Sequence, residues 1–422
     1  MTKNFKKSPQ LPEKVIYLLK KGVRMTAPFS VEIDDDVKLE RISNSLTIYG
    51  AARICGKNTF IADHVKLGYE APVTVIDCQL GPEVELRGGY FAHSVFLNKA
   101  AMGGNAQIRS GCLLEEESGG NHCVGLKQTI LFPFVQLGSL INFCDCLMAG
   151  GTSRKNHSEV GSSYIHFNYT PQQDKATASL IGDVSRGVML REKPIFLGGQ
   201  GGIVGPLRID YGAVIPAGVI CRHDCKPGET NRSRSSLLKD ERFMPGIYGD
   251  ITRKVRRNVE YIADLKALKQ WYLHVRRIFF TNKNGSALHG AAIALIDEAV
   301  SERIKQMNLF AENLEKSITA GTKTMKKYPA NLLRTQKRFL RQWPQIREDL
   351  SSGNGEKAGL RERDVFLKTM HLPASKGNSY LEAIQSLTAA QARKGTGWLQ
   401  SITSEITTLC IKELHNTQQK EK

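Results

Sequence analysis

An apolar residue returns at every sixth position in two parts of this sequence, and few folds can use such a period. Ile42, Ile48, Ile54 and Phe60 head the segments ISNSLT, IYGAAR, ICGKNT and FIADHV. Leu197, Ile203, Ile209, Ile215 and Cys221 repeat the pattern through LGGQGG, IVGPLR, IDYGAV and IPAGVI. A helix buries a face about every 3.6 residues and a half-buried strand every second residue, so neither leaves one anchor in six. A parallel β-helix does: each hexapeptide forms one flat side of a triangular coil, and its anchor stacks on the equivalent residue of the next coil. The position four after the anchor also faces inward, which suits Ala52, Ala213 and Val219. Gly50, Gly56, Gly205, Gly212 and Gly218 fall where the backbone must turn. Between residues 62 and 196 the period weakens, surviving at Val135, Ile141 and Leu147. Loops leave the coils there, and loops on a rigid solenoid are where sites are built.

The expected organisation is an N-terminal helical lead over 1–29, a β-helix over 30–225, a linker over 226–250 and a basic α-helical domain over 251–422. The linker is rich in turn formers and charge. Amphipathic helical patterns follow at 258–280, 286–321, 331–343, 379–394 and 398–414. Ser286 and Asn378 stand near helix starts, and Pro329 and Pro344 mark interruptions or ends. The stripes Leu265, Leu268, Tyr272, Val275 and Ile293, Ile296, Val300, Ile304 read as packed core.

Charge separates the two halves. Residues 226–422 carry 35 basic and 20 acidic side chains, against 24 and 21 in residues 1–225, so the helical domain is expected to meet an anionic partner. Nucleic acid is one such partner, through the basic and aromatic mixtures at 253–277 and 323–341; solvated helix faces are the plainer reading. The nine cysteines are scattered and read as reduced thiols of a cytoplasmic protein. Cys221, His223 and Cys225 lack the paired thiolate spacing of a zinc site, so no metal is expected. The N-terminus fits no signal peptide, and no stretch is apolar enough to span a membrane.

The segment MAGGTSRKNHSEVGSSYIHFNYTPQQDKATASLIGD (148–183) gathers polar and ionisable side chains between apolar repeat regions. Together with LLEEE, LKQTILFPFVQLGSLINFCDCLMAGGTSR and FLGGQGGIVGPLRIDYGAVIPAGVICRHD, it resembles the left-handed β-helix acyltransferases. In particular it resembles the acetyltransferase half of the bacterial bifunctional enzyme that makes UDP-N-acetylglucosamine, and bacterial proteins labelled as related to UDP-N-acetylglucosamine pyrophosphorylase. The resemblance covers about residues 30–225. It implies a left-handed parallel β-helix, trimeric in the family, here followed by an α-helical C-terminal domain.

The chemistry implied is acyl transfer to the amine of a sugar phosphate or nucleotide sugar, with acetyl-CoA as co-substrate and no bound cofactor. A protonated amine must lose a proton before it attacks a thioester, so a base with a pKa near the working pH is needed. His157 supplies one, with Glu159, Asp145 or Asp174 to orient its ring; His166 reads as a packed residue. Asn168 and Tyr169 match the family's sugar-contacting Asn-Tyr pair. Lys175 lies one residue beyond the place of its phosphate-binding lysine, and Arg154 and Lys155 add donors for phosphate. The family separates its catalytic histidine from the Asn-Tyr pair by about two more hexapeptides than occur here. Gly199, Gly201, Ala217 and Arg222 occupy the edge along which the family lays the pantetheine arm between subunits of a homotrimer. GGQGG at 198–202 lacks a phosphate-loop ending and reads as coil corners, so no nucleotidyltransferase activity is expected of these residues. The competing reading is a non-catalytic module that binds a nucleotide sugar or scaffolds a complex.

Overall fold

Three ladders of inward side chains build a parallel solenoid. On its first face Ile48 stacks under Leu67, Leu86, Met102, Gly120, Leu137, Val160, Leu197 and Ile215 in turn. Ile54, Val75, Phe91 and Ile108 begin the second. Leu80, Phe96, Leu114, Leu131, Met148, Ile181, Ile209 and Cys225 run along the third. The first face is a ten-stranded sheet; the second and third merge into one of 16 strands, because Gly125–Leu131 and Asn142–Met148 carry their pairing through the corner. Every sixth-residue anchor named above is buried. The structure is a computed structural model and describes residues 10–231, 244–281, 283–325, 328–375 and 377–415.

Corners use more residues than the expected glycines. Many are turned by non-glycine residues in the left-handed region, among them Asp77 (φ 48°), Lys99 (φ 59°) and Asp145 (φ 59°). Gly50 (φ 108°), Gly56 (φ 90°), Gly212 (φ 74°) and Gly218 (φ 75°) turn as expected. Gly205 does not; a Cβ there would stand 2.2 Å from the Thr177 carbonyl and 2.9 Å from the His166 ring, so its smallness serves a close approach.

The coils also extend past the expected limits. Arg24–Met25 already pairs with Thr47–Ile48, and Thr230 bridges to Val214. Helix α1 (Glu13–Lys21) closes the first coil, burying Val15 and Leu18 and ending on a left-handed Gly22. Its lysines satisfy open carbonyls: Lys14 Nζ donates to Asp34 O at 2.6 Å and Lys21 Nζ to Leu39 O at 2.9 Å.

Helix α2 (Val184–Gly187) interrupts the coils; after them come α3 (Thr252–His274), α4 (Lys283–Thr324), α5 (Ala330–Ser351), α6 (Leu360–Ser375), α7 (Tyr380–Gln385) and α8 (Ala389–His415). Three details differ from the sequence reading. Pro344 lies inside α5 without ending it. The helix α6, not anticipated, packs against α8. The two terminal patterns are divided elsewhere: 379–394 holds α7 and the start of α8, and α8 runs on through 398–414, with Gly395 letting Met189 and the Phe366 ring approach to 2.4 and 2.8 Å of where a Cβ would be. The α7 start is capped by Ser379, one residue after Asn378, in a reciprocal capping box with Glu382. Trp271, Phe366 and Trp398 stack at the centre of this domain.

The helical domain lies along the third face, and α3 runs back along the coils. Arg257 pairs with Asp224, the Asn258 amide donates to the Ala176 carbonyl at 3.0 Å, Asp264 accepts from Val184 N at 2.7 Å, and Tyr272 donates to Glu115. From Arg257 to Tyr272 a helix rises about 22 Å. That matches five rung spacings of about 4.8 Å between the Leu114 and Cys225 levels. Among the described residues no helix is long and apolar enough to cross a membrane.

Candidate functional site

Three excursions leave the coils in the irregular region, at two different corners. Residues 149–158 and 182–195 leave between the third and first faces; residues 168–178 leave between the second and third. The first is a short hairpin in which Gly151 pairs with His157 and Ser153 with Asn156. It carries Arg154 and Lys155 at its exposed tip and His157, half-buried, at its base.

The His157 ring is set by its own hairpin. Nδ1 stands 2.8 Å from the Arg154 carbonyl. A carbonyl only accepts, so Nδ1 carries the proton and Nε2 of the neutral ring keeps its lone pair. The carboxylates expected to orient it are engaged elsewhere. Asp145 pairs with Arg303 at 2.8 Å, and Asp174 with Lys254 at 2.8 Å and the Tyr248 hydroxyl at 2.7 Å. Glu159 lies exposed on the next strand.

Arg154 folds back onto the neighbouring coil at Glu117. Its Nη1 donates to the Glu117 carbonyl at 2.8 Å and its Nε lies 3.9 Å from the Glu117 carboxylate. With Lys155 and Lys99 it lines a cleft of about 850 Å³ between solenoid and helices. The opposite wall is Phe279, Phe280 and Tyr380. At its floor the buried Arg276 binds Glu116 through both terminal nitrogens and lies 3.7 Å over the Tyr380 ring. Beside it burial pushes the Glu115 carboxyl up to about 7, opposed by the Arg276 charge and raised further by Glu116. The functional reading of the sequence passed over Glu115 and Glu116. Their signal was LLEEE itself, a run of acids continuing straight from buried Leu113 and Leu114.

The second excursion holds Asn168, Tyr169 and Lys175. The Asn168 amide is spent inside the fold: Nδ2 donates to Asp145 Oδ2 at 3.2 Å and Oδ1 accepts from the Thr177 hydroxyl at 2.8 Å. Tyr169 is 65% exposed, and Lys175 is exposed while its carbonyl accepts from Arg303. The loop is bolted to the helical domain at Gln172, which bonds to Gly246, Ile247 and Asn313. Within one chain, therefore, His157, Arg154 and Lys155 share one corner, and Asn168, Tyr169 and Lys175 share another. His166 is buried, bonded to the Ser179 hydroxyl at 2.8 Å and driven down to about 4 by burial, as befits a packed residue.

The remaining expected residues have local roles. Gly199 and Gly201 permit close packing of successive corners, against Ser162 and Val219 carbonyls. Ala217 and Arg222 are exposed, and the Arg222 carbonyl accepts from Arg253. Asp183 of the Ile-Gly-Asp segment caps α2, accepting from Arg186 N at 2.9 Å and from the Arg186 and Arg208 guanidiniums. Among the described residues no cluster of three or more His, Cys, Asp or Glu could hold a metal ion.

The fold and this corner define the class: a parallel β-solenoid with polar excursions from its later coils and a helical domain laid along one face. No family model matches the chain. It is distantly similar to curated proteins named bifunctional protein GlmU. It is 24% identical to that of Thermotoga maritima over 229 residues, 54% of this chain and 46% of the relative. It is 27% identical to that of Thermus thermophilus over 191 residues (45% and 37%) and 25% identical to that of Oleidesulfovibrio alaskensis over 227 residues (53% and 44%). The chain spans less than half the length of these curated relatives.

Proposed function

We propose that this chain is an acyltransferase-like protein related to UDP-N-acetylglucosamine biosynthesis. It takes a sugar phosphate or nucleotide sugar and moves an acetyl group from acetyl-CoA to the sugar amine. The observation that carries this reading is the Nδ1–H of His157 held by the Arg154 carbonyl, which leaves Nε2 ready to accept a proton. The ammonium releases one proton to solvent, Nε2 takes a second as the amine attacks the thioester carbonyl, and the tetrahedral adduct collapses to the amide with the CoA thiolate leaving and taking that proton from the imidazolium. Arg154 and Lys155, on the same hairpin, hold phosphate. Gly199, Gly201, Ala217 and Arg222 border the groove for the pantetheine arm.

Tyr169 and Lys175 then come from a neighbouring copy in a homotrimer, on a loop that Asn168 holds in place through Asp145 and Thr177. Support for association is an exposed apolar set that the helical domain leaves uncovered: Leu140 (55%), Ile165 (36%), Phe167 (36%), Phe196 (40%) and Val214 (38%). Nucleotidyl transfer is outside this reading, because these 422 residues contain no Gly-rich strand-to-helix phosphate loop.

The test is thiol release from acetyl-CoA in the presence of an amino-sugar phosphate. His157→Ala is expected to lower turnover about 10²–10⁴-fold while leaving sugar-phosphate binding intact. Lys175→Ala mainly weakens binding, and mixing the two variants restores part of the activity. Unchanged turnover in His157→Ala overturns the assignment; a monomer in sedimentation at micromolar concentration overturns the shared site.

A second reading, a binding or scaffold module without catalysis, is favoured by the Asn168 amide, whose Nδ2 and Oδ1 each already hold a partner within the chain. Thermal shift separates the two: a response to UDP-N-acetylglucosamine without one to acetyl-CoA selects the module.

A further inference from the structure

The last coil ends in two thiols that face each other. Cys221 closes the second-face ladder beneath Ile203, and Cys225 closes the third beneath Ile209. Across the corner between them the sulfurs stand 3.7 Å apart. The Asn231 side-chain amide donates to both, at 3.2 Å each. Both cysteines are buried, and Tyr164, with its hydroxyl unpartnered, lies close enough for both to act on it.

A neutral thiol is a weak acceptor, whereas a thiolate gains strongly from two N–H or S–H donors. The pair therefore favours one thiolate solvated by the other thiol and by Asn231. The hydrogen bond from Cys221, and next that from Asn231, lower the Cys225 thiol below its ordinary range, while the same bond and burial raise Cys221. Among the described residues the terminal rung is paired on one side only, so it opens more readily than the coils above it.

We infer that Cys221 and Cys225 form a redox-active dithiol, with Cys225 attacking and Cys221 resolving, that takes small-molecule disulfides of the glutathione class. The Cys225 thiolate attacks one sulfur of the disulfide, forming a mixed disulfide and expelling one thiolate. Cys221 loses its proton and attacks the Cys225 sulfur, expelling the second. Two electrons pass from the cysteine pair to the disulfide, which leaves as two thiols. The bridge needs a sulfur separation near 2.05 Å, so the turn between the cysteines must tighten. That turn seats the start of α3, through Arg253 on the Arg222 carbonyl and Arg257 on Asp224. Oxidation thus reaches the anchor of the helical domain.

The experiment treats the full chain with oxidised glutathione at mildly alkaline pH, traps remaining thiols by alkylation and reads each cysteine peptide by mass spectrometry. A Cys221–Cys225 bridge reversible by dithiothreitol is expected, while the exposed Cys123 stops at the mixed disulfide. Cys221→Ser should stall at the Cys225 mixed disulfide, Cys225→Ser should leave Cys221 as thiol, and Asn231→Ala should slow the first step several-fold. Thiols that persist at 221 and 225 while Cys123 reacts overturn the inference, as does a Cys225→Ser protein whose Cys221 reacts at the same rate. Amide exchange across 252–258 should rise on oxidation; unchanged exchange refutes the link to α3.

Discussion

Single residues here divide into those the fold has already spent and those it leaves available. Asn168 and Tyr169 are adjacent in the chain but belong to different groups. Asn168→Ala strands the buried Asp145 and Thr177 partners and should cost about 1–3 kcal/mol of stability, whereas Tyr169→Ala should leave the melting temperature unchanged and lower only ligand affinity. Thermal melts with and without sugar phosphate separate the two. Glu115 is spent in another sense. Burial lifts its carboxyl to about 7 from an ordinary 4.5, so between those values the unfolded chain has released a proton that the folded chain still holds. Stability must therefore fall as pH rises through this window and level off above it. Glu115→Gln should flatten that slope, gaining on the order of 1–3 kcal/mol at pH 8 relative to wild type and little at pH 4. Denaturant titrations at the two pH values read this directly, and an unaltered slope would assign the titration to another group. Asp264, also raised to about 7 by burial and by the nearby Asp183 charge, adds a slope of the same sign that the substitution leaves in place.

Among the elements, α8 shows how one residue type can serve opposite purposes within a single turn. Gly395 and Gly397 both lower helix propensity. At Gly395 an added Cβ meets Met189 and Phe366, while at Gly397 it meets nothing within 4 Å. Gly397→Ala should stabilise by about 0.5–1 kcal/mol; Gly395→Ala should destabilise, because the Phe366 ring is packed under Trp271 and cannot retreat. Opposite shifts in melting temperature are the expected outcome, and equal shifts would mean that the α6–α8 packing is looser than described. The basic segments divide similarly. Lys254, Arg257 and Lys266 of α3, and Arg276 just beyond it, are bonded within the molecule, which removes most of 253–277 from a nucleic-acid face. Arg334, Lys337 and Arg341 of α5 remain on an exposed face.

For the whole molecule, the basic excess of the C-terminal half finds much of its counter-charge in the solenoid. Arg276 meets Glu116, Arg303 meets Asp145, Lys254 meets Asp174 and Arg257 meets Asp224, each across the interface. Such buried pairs penalise a single deletion more than a paired one. Arg276→Met should cost about 3–5 kcal/mol by stranding Glu116, and adding Glu116→Gln should recover much of it; equal losses in single and double variants would deny the coupling. The sequence alone determined the solenoid, because an inward anchor every sixth residue is a local constraint that each coil repeats and no helix or open sheet can satisfy. It also determined that amphipathic helices follow, but not where the coils are interrupted: the period weakens from residue 62, whereas the ladders run on through Met148. The tertiary structure alone decided which corner each excursion leaves from, and so it parted His157 from Asn168 and Lys175 within one chain. It alone joined Glu115 and Glu116 to Tyr272 and Arg276, far apart in sequence. The physical reason is that a periodic pattern encodes a side chain's direction relative to its own backbone, whereas charge pairing and burial across the third face depend on where α3 comes to rest, and that is set by contacts no local pattern contains.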